Sequence, residues 1–149
     1  MTTPSVPDPG QTPYPRLHYT TFTMHIAHNY RLLGSILAFS AVLLGAFGAH
    51  ALKQTLSAHE SVQTWETAVR YQMWHALGLI LLSLINERQA LPKMIGPCLV
   101  IGTLLFSGSL YGLALDGPRW LGPITPLGGL CLIAGWALLA YSCVKNKSQ

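Results

Sequence analysis

Charged side chains are scarce in this sequence. Asp, Glu, Lys and Arg make up 9% of the 149 residues, where an ordinary soluble domain carries about 25%. So few charges leave a water-soluble domain of this size without a surface, and the bilayer is the expected solvent. The cysteine pattern excludes other classes. Cys98, Cys131 and Cys143 all stand inside apolar runs, and no C-x-x-C occurs. With an odd count they read as buried thiols, not as a disulfide framework or a metal site. Catalytic signatures are missing too. There is no P-loop and no dinucleotide-binding glycine motif. Ser107 and Ser109 flank Gly108 without the G-x-S-x-G context of a nucleophile elbow. Their hydroxyls are expected to bond the preceding turn's carbonyls or a facing helix. Basic residues exceed acidic ones by nine to five, a net +4. These charges are scattered between apolar runs, which suits membrane orientation and speaks against nucleic acid as a partner.

What is abundant is apolar length. Residues 1–23 hold five of the ten prolines and no apolar period, the composition of a disordered tail. Met24 follows that tail directly, as a start codon placed upstream of the true one would produce. Four apolar segments come next, at about 30–52, 58–85, 94–115 and 125–144. A bilayer core needs about 20 helical residues, and spanning backbone must satisfy its own hydrogen bonds. The expectation is an all-α membrane protein, with four transmembrane helices in a compact antiparallel bundle and a short polar tail after 145. Ser57-Ala58-His59-Glu60 has the capping-box pattern. A helix running from there to Ile85 is about 42 Å long at 1.5 Å per residue, so its first turns, with Trp65, are expected in the headgroup belt. Thr125-Pro126 reads as an N-cap followed by proline at the first helical position.

Four spans place both termini on one side. Arg16, Arg31, Arg88, Lys93, Lys145 and Lys147 share that side, and Lys53, Arg70 and Arg119 the other. The positive-inside rule then puts both termini in the cytoplasm. Ala49-His50-Ala51 resembles a signal-peptidase site. Against cleavage stands a stripe of small residues in the first helix: Gly34, Ala38, Ala41, Gly45 and Ala49. Their spacing puts them on one face, as a helix packed in lipid requires. Gly108 and Gly112 in the third helix, and Gly128, Cys131 and Gly135 in the fourth, repeat the device. Packing within one chain is the favoured use, over homodimerisation.

His50, Glu66, Arg70, Tyr71 and His75 form the candidate polar cluster, in the outer half of the bundle under this topology. Glu66 and Arg70 stand four apart in the favourable acid-first order, and an antiparallel hairpin would bring His50 close. Ionisable groups at membrane depth are costly and often functional. Two histidines without a ligand-spacing motif are weak support for haem or metal, so no cofactor is expected. Two readings stay open. One is a non-enzymatic accessory or structural component that meets the bilayer and a membrane-protein partner. The other is a small-ligand or proton-handling protein, as a monomer or homo-oligomer.

Four stretches resemble one family: GAFGAHALK at 45–53, WETAVRYQMWHALGL at 65–79, FSGSLYGLAL at 106–115 and LGPITPLGG at 121–129. It is the small membrane-protein family called domain of unknown function 423, to which the transmembrane-protein-256-like proteins are similar. The resemblance covers about 31–141. It implies an uncleaved four-helix membrane protein with no established reaction, ligand or partner. Residues 1–23 depart from it, since members start close to the first helix. The signature positions it marks here include Gly45, Gly48, His50, Trp65, Tyr71, His75, Ser107, Gly108, Ser109, Tyr111, Thr125, Pro126, Gly128 and Gly129. Residence in a bacterial inner membrane is expected, with a mitochondrial membrane as the alternative.

Overall fold

A computed structural model describes residues 17–88 and 91–146, with side chains over 28–87 and 91–145. The elements are α1 (Leu17–Ala49), α2 (Lys53–Ala58), α3 (Val62–Arg88), α4 (Ile95–Ala114) and α5 (Leu121–Asn146). Among the described residues there is no strand. The proline-rich stretch 1–16 lies outside them, and α1 starts at Leu17, upstream of the expected boundary. Four segments are long and apolar enough to cross a bilayer: His28–Ala49, Val62–Glu87, Ile95–Ala114 and Leu121–Lys145.

The spans pack in chain order, α1 on α3, α3 on α4 and α4 on α5. The packing is antiparallel, as two contacts show. Ser61 at the start of α3 donates from Oγ to the carbonyl of Ala114 at the end of α4, at 2.6 Å. At the opposite end of the bundle, Arg31 of α1 pairs with Glu87 of α3. Leu79, Leu82, Ile95, Leu99 and Leu132 form the main core. A smaller one, of Leu56, Trp65 and Ala114, closes the α2 end. Large apolar side chains such as Phe39, Val42, Leu104 and Ile133 point outward, the reverse of a water-soluble bundle and correct for lipid.

Small residues set the helix spacings. A methyl on Gly34 would stand 2.7 Å from the carbonyl oxygen of Ala76. One on Gly128 would collide with the backbone nitrogen of Phe106, and one on Gly135 would stand 2.9 Å from Leu99. Ala41 is fully buried. Gly45 and Gly112 face Val69 and Leu121. Ala38 is half-buried and Ala49 exposed. Gly108 faces open space, so the two ends of the G-x-x-x-G have different surroundings. Gly96 and Gly102, absent from the expected stripes, accommodate Tyr30 and Leu132.

Three local expectations are corrected. The capping box does not form. Glu60 instead sits at φ 52°, as the residue that ends α2. The amide of Ser61 bonds Leu56 O at 2.9 Å and that of Glu60 bonds Ser57 O at 3.2 Å, the paired bonds of a Schellman motif. The motif recurs after α4, with Asp116 at φ 58° and Gly117 N on Gly112 O at 2.9 Å. Second, α5 begins at Leu121, so Pro126 lies inside it. The carbonyl that Pro126 leaves without its helical donor belongs to Gly122. Third, the cysteines are unbridged, but Cys98 and Cys131 are half-buried and Cys143 is exposed.

The left-handed position of Glu60 favours glycine, because a Cβ there crowds the following carbonyl. Glu60→Gly should stabilise the bundle by roughly 0.5–1 kcal/mol. A lower unfolding temperature in detergent would contradict this.

Candidate functional site

The α2 end of the bundle is built around Trp65. Its position on α3 turns the indole toward α1, where its Nε1–H donates to the carbonyl of Leu44 at 3.0 Å. Gly48 makes this possible, since a methyl there would collide with that same nitrogen. The ring also meets Tyr111 of α4 edge-on, with centroids 4.7 Å apart. Trp65 is 4% exposed, so it is a lock between three helices and not a headgroup anchor. Two turns further along α3, Gln72 donates from Nε2 to Leu37 O at 3.0 Å and to Ser40 Oγ at 2.7 Å. Both α3 side chains thus bond α1 backbone carbonyls already used within the helix. In lipid, where no water competes, such bonds hold helices together.

Beside this lock lies a groove of about 590 Å³ between α1, α2 and α3. Gly45 and Gly48 of α1 line it, with Val69 and the Trp65 indole packed against them. Leu56 and Val69 are among its walls, and Lys53, Glu66 and Arg70 reach its rim. Its volume falls within the ~300–1,000 Å³ of ordinary ligand sites.

The structure separates the five candidate residues. Glu66 and Arg70 form an exposed pair at 3.4 Å on the groove. Tyr71 and His75 lie about 140° further round α3. Tyr71 packs on Phe106 of α4, with centroids 4.5 Å apart. The His75 ring lies beside Tyr71 at 5.9 Å and faces Trp136 of α5 at 6.1 Å. Its Nδ1 is 2.7 Å from the carbonyl of Tyr71. His50 stands exposed beyond α1, and no hydrogen bond or ring contact joins it to the other four. Among the described residues, no three His, Cys, Asp or Glu come together as a metal site. Gln72 and Lys53 were not singled out from sequence. The signal for Gln72 was its place seven residues after Trp65, on the same face of α3.

The hydroxyls of α4 differ. Ser109 Oγ meets Thr125 Oγ1 of α5 at 2.7 Å, so here the facing-helix expectation holds. Ser107 Oγ and Tyr111 OH are buried and find no partner among the described residues. An unmade hydrogen bond gives no stability to lose. Tyr111→Phe should leave the unfolding temperature unchanged or raise it, while Ser109→Ala should cost about 1 kcal/mol. Equal losses in the two variants would show that the Tyr111 hydroxyl has a partner.

The fold and site define a multi-pass helical membrane protein with side-chain locks between its spans and a groove at one end. The chain belongs to the family described as protein of unknown function (DUF423), which matches residues 44–129. No catalytic activity is known for that family. A UPF0382 membrane protein of Staphylococcus haemolyticus is 46% identical over 115 residues, covering 76% of this chain and 93% of its own. The UPF0382 membrane protein YwdK of Bacillus subtilis is 40% identical over 117 residues, 76% of this chain and 94% of its own. The UPF0382 inner membrane protein YgdD of Escherichia coli is 39% identical over 121 residues, 79% of this chain and 91% of its own. No solved structure matches the chain.

Proposed function

We propose that this protein is a non-enzymatic accessory component of a bacterial cytoplasmic membrane, acting in a larger membrane assembly. One observation carries the reading. Trp65 and Gln72 of α3 are spent on holding α1, through Leu44 and Leu37, while the buried His75 and Ser83 bond carbonyls of their own helix, and these polar groups do not converge on a reacting centre. Native mass spectrometry after gentle extraction tests it. A stoichiometric second polypeptide is expected, and a chain that always travels alone would sink the reading. The inner-membrane relative in Escherichia coli supports the location. Both termini face the cytoplasm in this proposal, because Arg31, Arg88, Lys93 and Lys145 lie at the chain-terminal end of the bundle, against Lys53, Arg70 and Arg119 at the other, and positive charge favours the cytoplasmic side. A C-terminal green fluorescent fusion should therefore glow and an alkaline phosphatase fusion stay inactive.

A second reading, a small-ligand or proton-handling protein, draws support from the groove beside Glu66 and Arg70. In that case a bound small molecule accompanies the chain.

A further inference from the structure

We infer that the groove between α1 and α3 holds one anionic phospholipid, its phosphate between Lys53 and Arg70 and one acyl chain along Gly45, Ala49, Leu56 and Val69. The inference rests on the ligand reading above and names the class of ligand.

Three features point to an amphiphile. Apart from its charged groups the lining is mainly apolar, with Gly45, Ala49, Leu56, Val62 and Val69. An apolar lining of this kind suits an acyl chain. The groove lies at the ends of the spans, beside the exposed Phe47 of α1, so a chain seated in it continues into lipid. The charged groups that line it, Lys53, Glu66 and Arg70, come from the first turn of α2 and the second and third turns of α3, toward the α2 end of the bundle.

The charge balance selects the headgroup. Glu66 engages Arg70 at 3.4 Å, and Lys53 makes no ion pair among the described residues. Two cations against one carboxylate leave one positive charge, which matches the single negative charge of a phosphodiester. Basic groups near a bilayer attract anionic lipid in this way. A zwitterionic lipid would bring its own cation against Lys53 and Arg70. A second copy of the chain, docked isologously, would set this rim against itself with like charges opposed.

The test uses the full-length chain in detergent and native mass spectrometry, titrated in parallel with phosphatidylglycerol, phosphatidylcholine and inorganic phosphate. Phosphatidylglycerol should be retained in preference to phosphatidylcholine. The double variant Lys53→Ala/Arg70→Ala should weaken its retention by at least about tenfold. Glu66→Gln, which removes the competing carboxylate, should strengthen it. Ala49→Trp fills the groove and leaves both cations, so it should abolish binding. All four positions are exposed, and matched unfolding temperatures would show that each variant is folded. Equal retention of the two lipids, undiminished binding to Ala49→Trp, or displacement by inorganic phosphate would each overturn the inference. If a different small molecule accompanies the chain and is lost in Ala49→Trp, the phospholipid is wrong and the ligand reading stands. If nothing occupies the groove, both fall.

Discussion

Gly128→Ala should destabilise the bundle by about 1–3 kcal/mol, while Gly108→Ala, in the facing helix, should be neutral or mildly stabilising. The two glycines look alike in sequence, each with another glycine close by. Their surroundings differ. At Gly128 the added methyl collides with the Phe106 backbone nitrogen and stands 2.8 Å from its Cα and 3.0 Å from Gly102 O. Backbone has no rotamer to move into, so α4 and α5 must separate. Separation forfeits the Leu132 contact over Gly102 and the Ser109–Thr125 hydrogen bond. At Gly108 nothing lies within 4 Å, and alanine is the better helix former by up to about 1 kcal/mol. Thermal unfolding of both variants in one detergent decides the matter. Similar behaviour would mean that the close approach of α4 and α5 at Gly128 is not what holds them.

Trp65→Ala should cost on the order of 3 kcal/mol, the largest loss expected from truncating a side chain at the α2 end. The indole fills the space between α1 and α4, bonds Leu44 O and meets Tyr111. Gly48→Ala attacks the same lock from the other side, because its methyl occupies the place of the indole nitrogen. The two changes are therefore coupled. Gly48→Ala should be damaging with Trp65 present and nearly harmless once Trp65 is alanine. A double-mutant cycle measures this directly. Additive losses would show that Gly48 serves something other than Trp65.

These two residues also mark where the sequence was legible. Four long apolar runs are read directly, since a bilayer admits helices of one length range and little else. Of the stripe of small residues in α1, Gly34 and Ala41 are buried, while Ala38 is half-buried and Ala49 exposed. What composition hides is the partner of each residue. A tryptophan near a span's end suits the headgroup belt equally well as an inward lock. The carbonyl that distinguishes them, that of Leu44, lies 21 positions away. The S-x-x-E pattern at 57–60 failed for a related reason. Its residues also suit a helix end, and here they close α2, with the amides of Glu60 and Ser61 on the carbonyls of Ser57 and Leu56. The polar candidates share a stretch of α3 but not a face of it. Glu66 and Arg70 meet the groove, while Tyr71 and His75 meet α4 and α5.

The direction of the α1–α3 hydrogen bonds has a consequence for biosynthesis. The acceptors, at Leu37 and Leu44, precede the donors, at Gln72 and Trp65, in the order of translation. When α3 leaves the ribosome, the helix that receives its polar groups has already been made. Of the four spans, α3 carries the most polar and charged side chains between its ends, and it enters the bilayer as the second arm of a hairpin whose first arm is waiting. A chain permuted to begin at α3 would present the same residues to lipid without their acceptors.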